Sequence, residues 1–247
     1  MITRPLALAL AMLAAAAIAG CGGGSASEAP YEGLYLSLGD SVAAGSGATD
    51  ASSTSFAALV AKDAGSIEIA NLAVAGATTR DVIEKQLPRA ETAAGGRKLA
   101  FITVSVGGND LAALIPNTTC QQDPLPASCP LEPALSQVEA DLDALMKQLR
   151  AAYPKTPVVL LLYPNFFSGT GHPFEAPAER VLPRLDEVIA RVAARYQHTA
   201  VAAAAPAFAG RGASLTHVLD PAFDPHPNDA GHRLIADAFL AALKRVK

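Results

Sequence analysis

The chain has 247 residues, of which 51% are hydrophobic and only 5% aromatic, and a formal net charge of −4. This length supports one large domain with a core built mainly from Ala, Val, Leu and Ile. The mild acidity excludes the basic footprint of a nucleic-acid-binding protein, so nucleic acid is not an expected partner.

The N-terminus reads as a targeting segment. Arg4 precedes the apolar stretch Leu6–Gly20, whose 15 residues are too short to span a bilayer comfortably. It ends in Ile18-Ala19-Gly20-Cys21, which resembles a bacterial lipobox, with small residues before a cysteine that becomes lipidated and N-terminal. Residues 1–20 are therefore read as a lipoprotein signal peptide, the alternative being an ordinary secretory leader with an incidental cysteine. Loss of Arg4 with the leader brings the net charge to −5. The segment from Gly22 to Pro30 is rich in Gly, Ser and Ala and reads as a flexible tether with a reach of roughly 15–18 Å. Residues 21–33 thus comprise the lipidated Cys21 and a tether, and residues 34–247 the folded domain. These features predict an exported, monomeric protein, lipid-anchored on the extracytoplasmic face of a membrane.

Beyond the tether, short apolar runs alternate with longer helical patterns, which predicts a parallel sheet covered by helices. The predicted strands are Leu34–Leu38, Ser66–Ala70, Leu99–Val106, Val158–Leu162 and Ala200–Ala203. The predicted helices are Ser55–Ala64, Thr79–Leu87, Pro133–Ala152, Ala176–Tyr196 and Asn228–Arg245, the second ended by Pro88. Several strand runs lack polar alternation, as expected when helices cover both faces of a sheet. Ligands in such folds bind at the carboxyl ends of strands. Ser41, Gly76 and Asn109 all fall just past such ends, and His226 precedes the last helix.

These four positions carry an acyl-transfer pattern. Ser41 follows the first strand in Gly39-Asp40-Ser41, where a strand-to-helix turn exposes its hydroxyl as a candidate nucleophile and turns its N–H toward a developing oxyanion. Gly39 supplies the conformational freedom for that turn. Gly76, after the second strand, offers an N–H unobstructed by a side chain. In Gly107-Gly108-Asn109-Asp110 the glycines permit a tight exit from the third strand, Asn109 offers its amide, and Asp110 suits the N-cap of the turn that follows. His226 lies between Pro225 and Pro227, which restrict its backbone. Asn228 then suits the N-cap of the last helix, and His232, about one turn further on, suits packing or capping.

Two loops border the same edge. Pro116–Pro133 contains five prolines together with Cys120 and Cys129. With Cys21 committed to lipid, the remaining pair in an exported protein predicts a disulfide, and no histidine at ligand spacing suggests a metal site. Pro164–Pro177 carries Phe166, Phe167 and Phe174, which either wall an acyl or aryl pocket or plug the loop onto the helices.

Gly39-Asp40-Ser41, Gly76, Gly107-Gly108-Asn109-Asp110 and the segment His226-Pro227-Asn228-Asp229-Ala230-Gly231-His232 resemble, in order and spacing, the four sequence blocks of the GDSL esterase/lipase family, also called SGNH hydrolases. The resemblance runs from about Leu34 to the C-terminus. It implies a flavodoxin-like three-layer α/β/α sandwich with a mainly parallel five-stranded sheet, and a hydrolase of carboxylic esters that needs no metal or organic cofactor. It also implies Ser41 as nucleophile, His226 as general base and acid, and an oxyanion hole made by the Ser41 and Gly76 backbone N–H groups with the Asn109 amide. In that family an aspartate usually stands three residues before the histidine, a position held here by Phe223. Asp224, Asp220 or a backbone carbonyl is left to orient His226. Pro225 biases Asp224 toward an extended backbone, which puts it on the same face as His226. The competing reading is a non-catalytic lipoprotein that uses the same fold to bind acylated glycans or lipids.

Overall fold

β1 (Leu34–Gly39) and β3 (Leu99–Ser105) are buried along their whole length. Apolar side chains on both faces of these strands require cover on both sides. The structure, a computed structural model, describes residues 1, 31–65, 67–114 and 129–246. The expected signal peptide, Cys21, nearly all of the tether and Cys120 lie outside the described residues. Cys129 is described and is buried.

Five parallel strands form one sheet in the order β2-β1-β3-β4-β5, where β2 is Ile69–Asn71, β4 is Val158–Leu162 and β5 is Thr199–Ala203. This is the doubly wound order, in which the connections diverge between β1 and β3 and leave a crevice at the carboxyl ends of those strands. The edge strands β2 and β5 are only partly buried, consistent with neighbours on one side alone. β2 starts at Ile69 and extends one residue past the expected Ser66–Ala70, with Ile69, Ala70 and Asn71 in register with Tyr35, Leu36 and Ser37.

Helices α1 (Ser41–Ala44), α2 (Phe56–Asp63) and α9 (Asp229–Leu243) cover one face of the sheet. The other face is covered by α3 (Thr79–Asp81) with its continuation, α5 (Leu131–Ala152) and α6 (Glu175–Ala193). α5 shows why such helices dock. Leu131, Leu135, Val138, Leu142, Leu145 and Leu149 recur at alternating steps of four and three, forming one apolar stripe that is wholly buried. Two short helices, α7 (Ala205–Phe208) and α8 (Gly212–Leu215), lead from β5 toward α9.

Pro88 does not end the second long helical segment. α3 runs into a π-helical stretch, Val82–Gln86, and then into α4 (Leu87–Ala94), with Pro88 in the first turn of α4. Inside a continuous helical segment a proline removes one backbone donor and its ring crowds the preceding turn, and the wider π turn before Pro88 gives that ring room. The segment stops instead at Gly95, in the left-handed region with φ +54°.

Candidate active site

The Ser41 turn is held from three sides. Gly39, at φ +135°, ends β1 so close to β3 that a Cβ there would lie 2.0 Å from the Ser105 carbonyl oxygen. The buried Gln86 side chain accepts the Gly39 N–H at 2.8 Å and donates to the Gly39 carbonyl at 2.7 Å, so the π-helical stretch grips the turn. Asp40 caps α1, accepting the Val42 N–H at 3.0 Å. Ser41 then occupies the first helical position, where its N–H has no intrahelical partner.

Asp40 is itself buried and accepts hydroxyl hydrogen bonds from Ser105, at 3.1 Å, and from Tyr163. Burial pushes its carboxyl up to about 6, against the opposing pull of the Tyr163, Ser105 and Val42 donors. Tyr163 also donates its backbone N–H to Asp186 at 2.8 Å, and burial raises that carboxyl to about 7. The Tyr163 ring packs beside Gly108. This tyrosine therefore ties the end of β4 to both the Ser41 turn and the β3 exit loop.

His226 Nε2 lies 2.8 Å from Ser41 Oγ. Its Nδ1 meets Asp224 Oδ1, which also accepts the His226 backbone N–H at 3.0 Å. A carboxylate that takes the N–H two residues ahead makes an Asx turn, and this local closure brings Asp224 to the ring. Since a carboxylate at Nδ1 can only accept, that nitrogen carries the proton and Nε2 is left to accept from the serine hydroxyl. Asp220 is engaged elsewhere. Its carboxylate meets His217 Nδ1 at 2.6 Å, and His217 Nε2 donates to the Gly47 carbonyl at 2.9 Å. The Asp220 hydrogen bond, ahead of that to Gly47, raises the His217 pKa.

Several contacts seat the histidine loop on the serine turn. Asp229 Oδ1 accepts the Thr49 N–H at 2.8 Å and the Thr54 hydroxyl at 2.7 Å, while Asn228 caps α9 by accepting the Gly231 N–H at 3.1 Å. His232 is fully buried. It accepts the Phe56 N–H at 3.2 Å, serving the start of α2, and its other nitrogen donates to the Ser46 carbonyl at 3.0 Å. Burial lowers its pKa, in keeping with the neutral ring that this bonding requires.

Gly47 passes close to the histidine loop. At φ +83°, a Cβ there would stand 2.3 Å from the Pro227 carbonyl oxygen and 2.9 Å from His226 Cβ. Gly47→Ala is therefore expected to displace His226, and a shift of about 1 Å in such a group can cost about 100-fold in rate. Steady-state kinetics should show a loss of that size in kcat, with a lowered melting temperature from the left-handed alanine.

The candidate oxyanion donors converge from β2 and β3, the neighbours of β1. Gly76 adopts φ +82°, with open space where a side chain would stand, so backbone conformation and not crowding calls for glycine. Its loop is anchored by the Asn71 amide, which donates to the Ala43 carbonyl at 2.8 Å, and by the Val74 N–H, which donates to the Gly39 carbonyl at 3.0 Å. Asn109 starts a 3-10 turn (Asn109–Leu114), and its amide donates one hydrogen bond to the Ala77 carbonyl at 3.1 Å. A side-chain amide carries two N–H donors, so this bond orients the group and leaves one donor for a ligand. Asn109→Ala is expected to lower kcat by about 10²–10³ with KM little changed, as for loss of an oxyanion donor. A change confined to KM would reject that role.

Asp110 does not cap its own turn. It reaches across to Thr79, accepting the backbone N–H at 3.0 Å and the hydroxyl at 3.1 Å, and so serves the start of α3. Burial raises its pKa against those bonds. The aromatic loop divides. Phe166 packs edge-on against buried Phe208, whereas Phe167 and Phe174 group with His172 and Phe223. Sequence reasoning did not find Gln86, Gly47, Tyr163 or His172. Only Tyr163, a hydroxyl at the carboxyl end of an apolar strand run, left a signal that could have been read.

The chain is similar to three solved hydrolases. Phospholipase A1 from Streptomyces albidoflavus NA297 is 26% identical, with TM-score 0.66 over 87% of this chain and 99% of that one. An extracellular lipase from Streptomyces rimosus is 24% identical, with TM-score 0.61 over 87% and 99%. An acetylxylan esterase from Geobacillus stearothermophilus is 21% identical, with TM-score 0.58 over 85% and 93%. No curated relative matches the chain. The profile of the GDSL-like Lipase/Acylhydrolase family matches residues 37–234, a span running from β1 into α9 and including every candidate site residue described above, and the chain belongs to that family of carboxylic ester hydrolases.

Proposed function

We propose that the chain cleaves carboxylic esters with Ser41 as nucleophile, His226 as general base and then acid, and Asp224 as the group that orients the imidazole. The observation that carries this reading is the 2.8 Å contact between Ser41 Oγ and His226 Nε2, with Asp224 on the opposite ring nitrogen. Ser41 Oγ attacks the ester carbonyl while its proton passes to Nε2, and Asp224 stabilises the resulting imidazolium. The carbonyl oxygen becomes an oxyanion facing the Ser41 and Gly76 N–H groups and the Asn109 amide. Nε2 returns the proton to the alcohol oxygen as the ester bond breaks. Water, deprotonated by the same nitrogen, then releases the acid and restores the serine.

Acyl esters of lipids, acetyl esters of glycans and small esters all suit this site. The similarity to a phospholipase A1 and to an acetylxylan esterase supports both of the first two. An acyl-chain-length series of p-nitrophenyl esters on the full chain tests the reading. Turnover that falls to background in Ser41→Ala is the expected result. No turnover on any ester would favour a non-catalytic binder of acylated glycans or lipids.

We also propose that the protein is a monomer tethered through lipidated Cys21 outside the cytoplasmic membrane, with residues 1–20 removed, which the lipobox-like sequence supports, residues 34–247 as the catalytic domain, and Cys120 paired with Cys129, which the even cysteine pair in an exported protein supports. Cys21→Ser should abolish diacylglycerol attachment and shift the protein from membranes to the soluble fraction or leave it as precursor. An unlipidated mature N-terminus in the wild type would reject the anchor.

A further inference from the structure

Three near-parallel rings stand together where the loop after β4 meets the loop before α9. Phe223 stacks on His172 with centroids 5.0 Å apart and planes at 17°, and lies 6.4 Å from Phe167 at 14°. Phe167 and His172 are 5.1 Å apart at 26°, and Phe174 meets Phe167 edge-on at 5.7 Å. Offset stacks and edge contacts at these separations are favourable arrangements for aromatic rings. Even so, Phe223 remains 50% exposed.

A single exposed apolar side chain is ordinary. Phe223 is distinguished by what holds it. His172 Nδ1 accepts the Phe174 N–H at 3.2 Å, and the Glu175 carboxylate accepts the Gly169 and Gly171 N–H groups at 2.5 and 2.8 Å, so the loop behind the rings is internally bonded. On the other side, the next residue after Phe223 is Asp224, which grips both the backbone and the ring of His226. The half-exposed ring is thus fixed to the catalytic loop three residues before the base.

Acyl transfer dictates which part of the substrate lies there. The oxyanion must face Gly76 and Asn109, while the departing oxygen must come within reach of His226 Nε2 to receive its proton. The alcohol half of the ester therefore leaves on the side of His226, the residue three positions after Phe223. We propose that Phe223, backed by His172 and Phe167, forms a stacking platform for an aromatic or similarly flat, apolar alcohol moiety, so that these residues select the leaving group and not the acyl chain. This inference rests on the ester-hydrolase reading above. It also gives the phenylalanine that replaces the usual aspartate a task of its own.

The test holds the acyl group constant. The full chain is assayed on naphthyl acetate and ethyl acetate, and the ratio of the two kcat/KM values is compared among wild type, Phe223→Ala and Phe223→Tyr. Comparing ratios within one pair of esters cancels their different intrinsic reactivities. The ratio is expected to fall about tenfold in Phe223→Ala, mainly through KM for the naphthyl ester, and to stay within about twofold of wild type in Phe223→Tyr, which keeps the ring. Far-ultraviolet circular dichroism melts identify any variant that fails to fold, and Phe223→Leu, which keeps an apolar side chain without the ring and is expected to lower the ratio likewise, then replaces Phe223→Ala in the comparison. An active wild type whose ratio does not move in Phe223→Ala overturns the platform and leaves the hydrolase reading intact. A loss that follows acyl length instead of the alcohol also overturns it. A wild type inactive on both acetates and on every ester of the acyl-chain-length series refutes the hydrolase reading and the platform together.

Discussion

Ser41→Ala is expected to reduce kcat by about 10⁵–10⁶, the scale seen when a serine nucleophile is removed from a site whose other groups remain. The hydroxyl meets His226 at 2.8 Å, and the turn beneath it is held by Asp40, Gln86 and the β3 carbonyl, none of which depends on Ser41 Oγ. Folding should therefore survive. The stability loss should be about 1 kcal/mol, the worth of one hydrogen bond, and visible as a small shift in melting temperature. A serine-directed phosphonate should label the wild type at Ser41 and leave the variant unmodified. Near-normal turnover in the variant, or a labelled peptide from elsewhere in the chain, would remove Ser41 from the mechanism.

Asp224→Asn is expected to lower kcat by about 10³–10⁴. An amide in place of the carboxylate can present N–H to Nδ1, which favours the tautomer carrying its proton on Nε2, and that nitrogen could then no longer accept from Ser41. The variant also loses the negative charge that stabilises the imidazolium. Asp220 cannot substitute, because its carboxylate is bonded to His217. Asp220→Asn should accordingly have a much smaller effect on kcat. If Asp224→Asn costs less than about tenfold, or about 1.4 kcal/mol of barrier, the site works as a Ser41–His226 dyad.

The aspartate question shows where sequence reading reaches its limit. Asp224, Asp220 and a backbone carbonyl were all compatible with the spacing, and the extended-backbone argument for Asp224 concerned only which side of the chain it faces. An Asx turn at Asp224 and the capture of Asp220 by His217, whose other ring nitrogen is held by the Gly47 carbonyl, distinguish them in space. Pro88 shows the same limit in secondary structure. Its local rule predicts a helix end, but a π turn absorbs the proline and delivers Gln86 to the Ser41 turn. Asp110 appeared to be a cap for its own turn, and in space it serves a helix 31 residues away.

What the sequence determined by itself was whatever depends on short-range chemistry and periodicity. Apolar runs alternating with helical stripes dictate a parallel sheet covered on both faces, and glycine or polar residues just after those runs mark the carboxyl edge where ligands bind. The serine, glycine, asparagine and histidine of the candidate site were readable because each sits at a strand exit or helix entry, which local patterning marks. What only the tertiary structure decided was which groups meet across that edge. The Tyr163–Asp40 bond, the Gln86 clasp on Gly39, the close passage of Gly47 past His226 and the stacking of Phe223 on His172 each join residues at least 47 positions apart. No local pattern encodes such contacts, because they arise only when the packing of helices on a common sheet fixes the loops relative to one another.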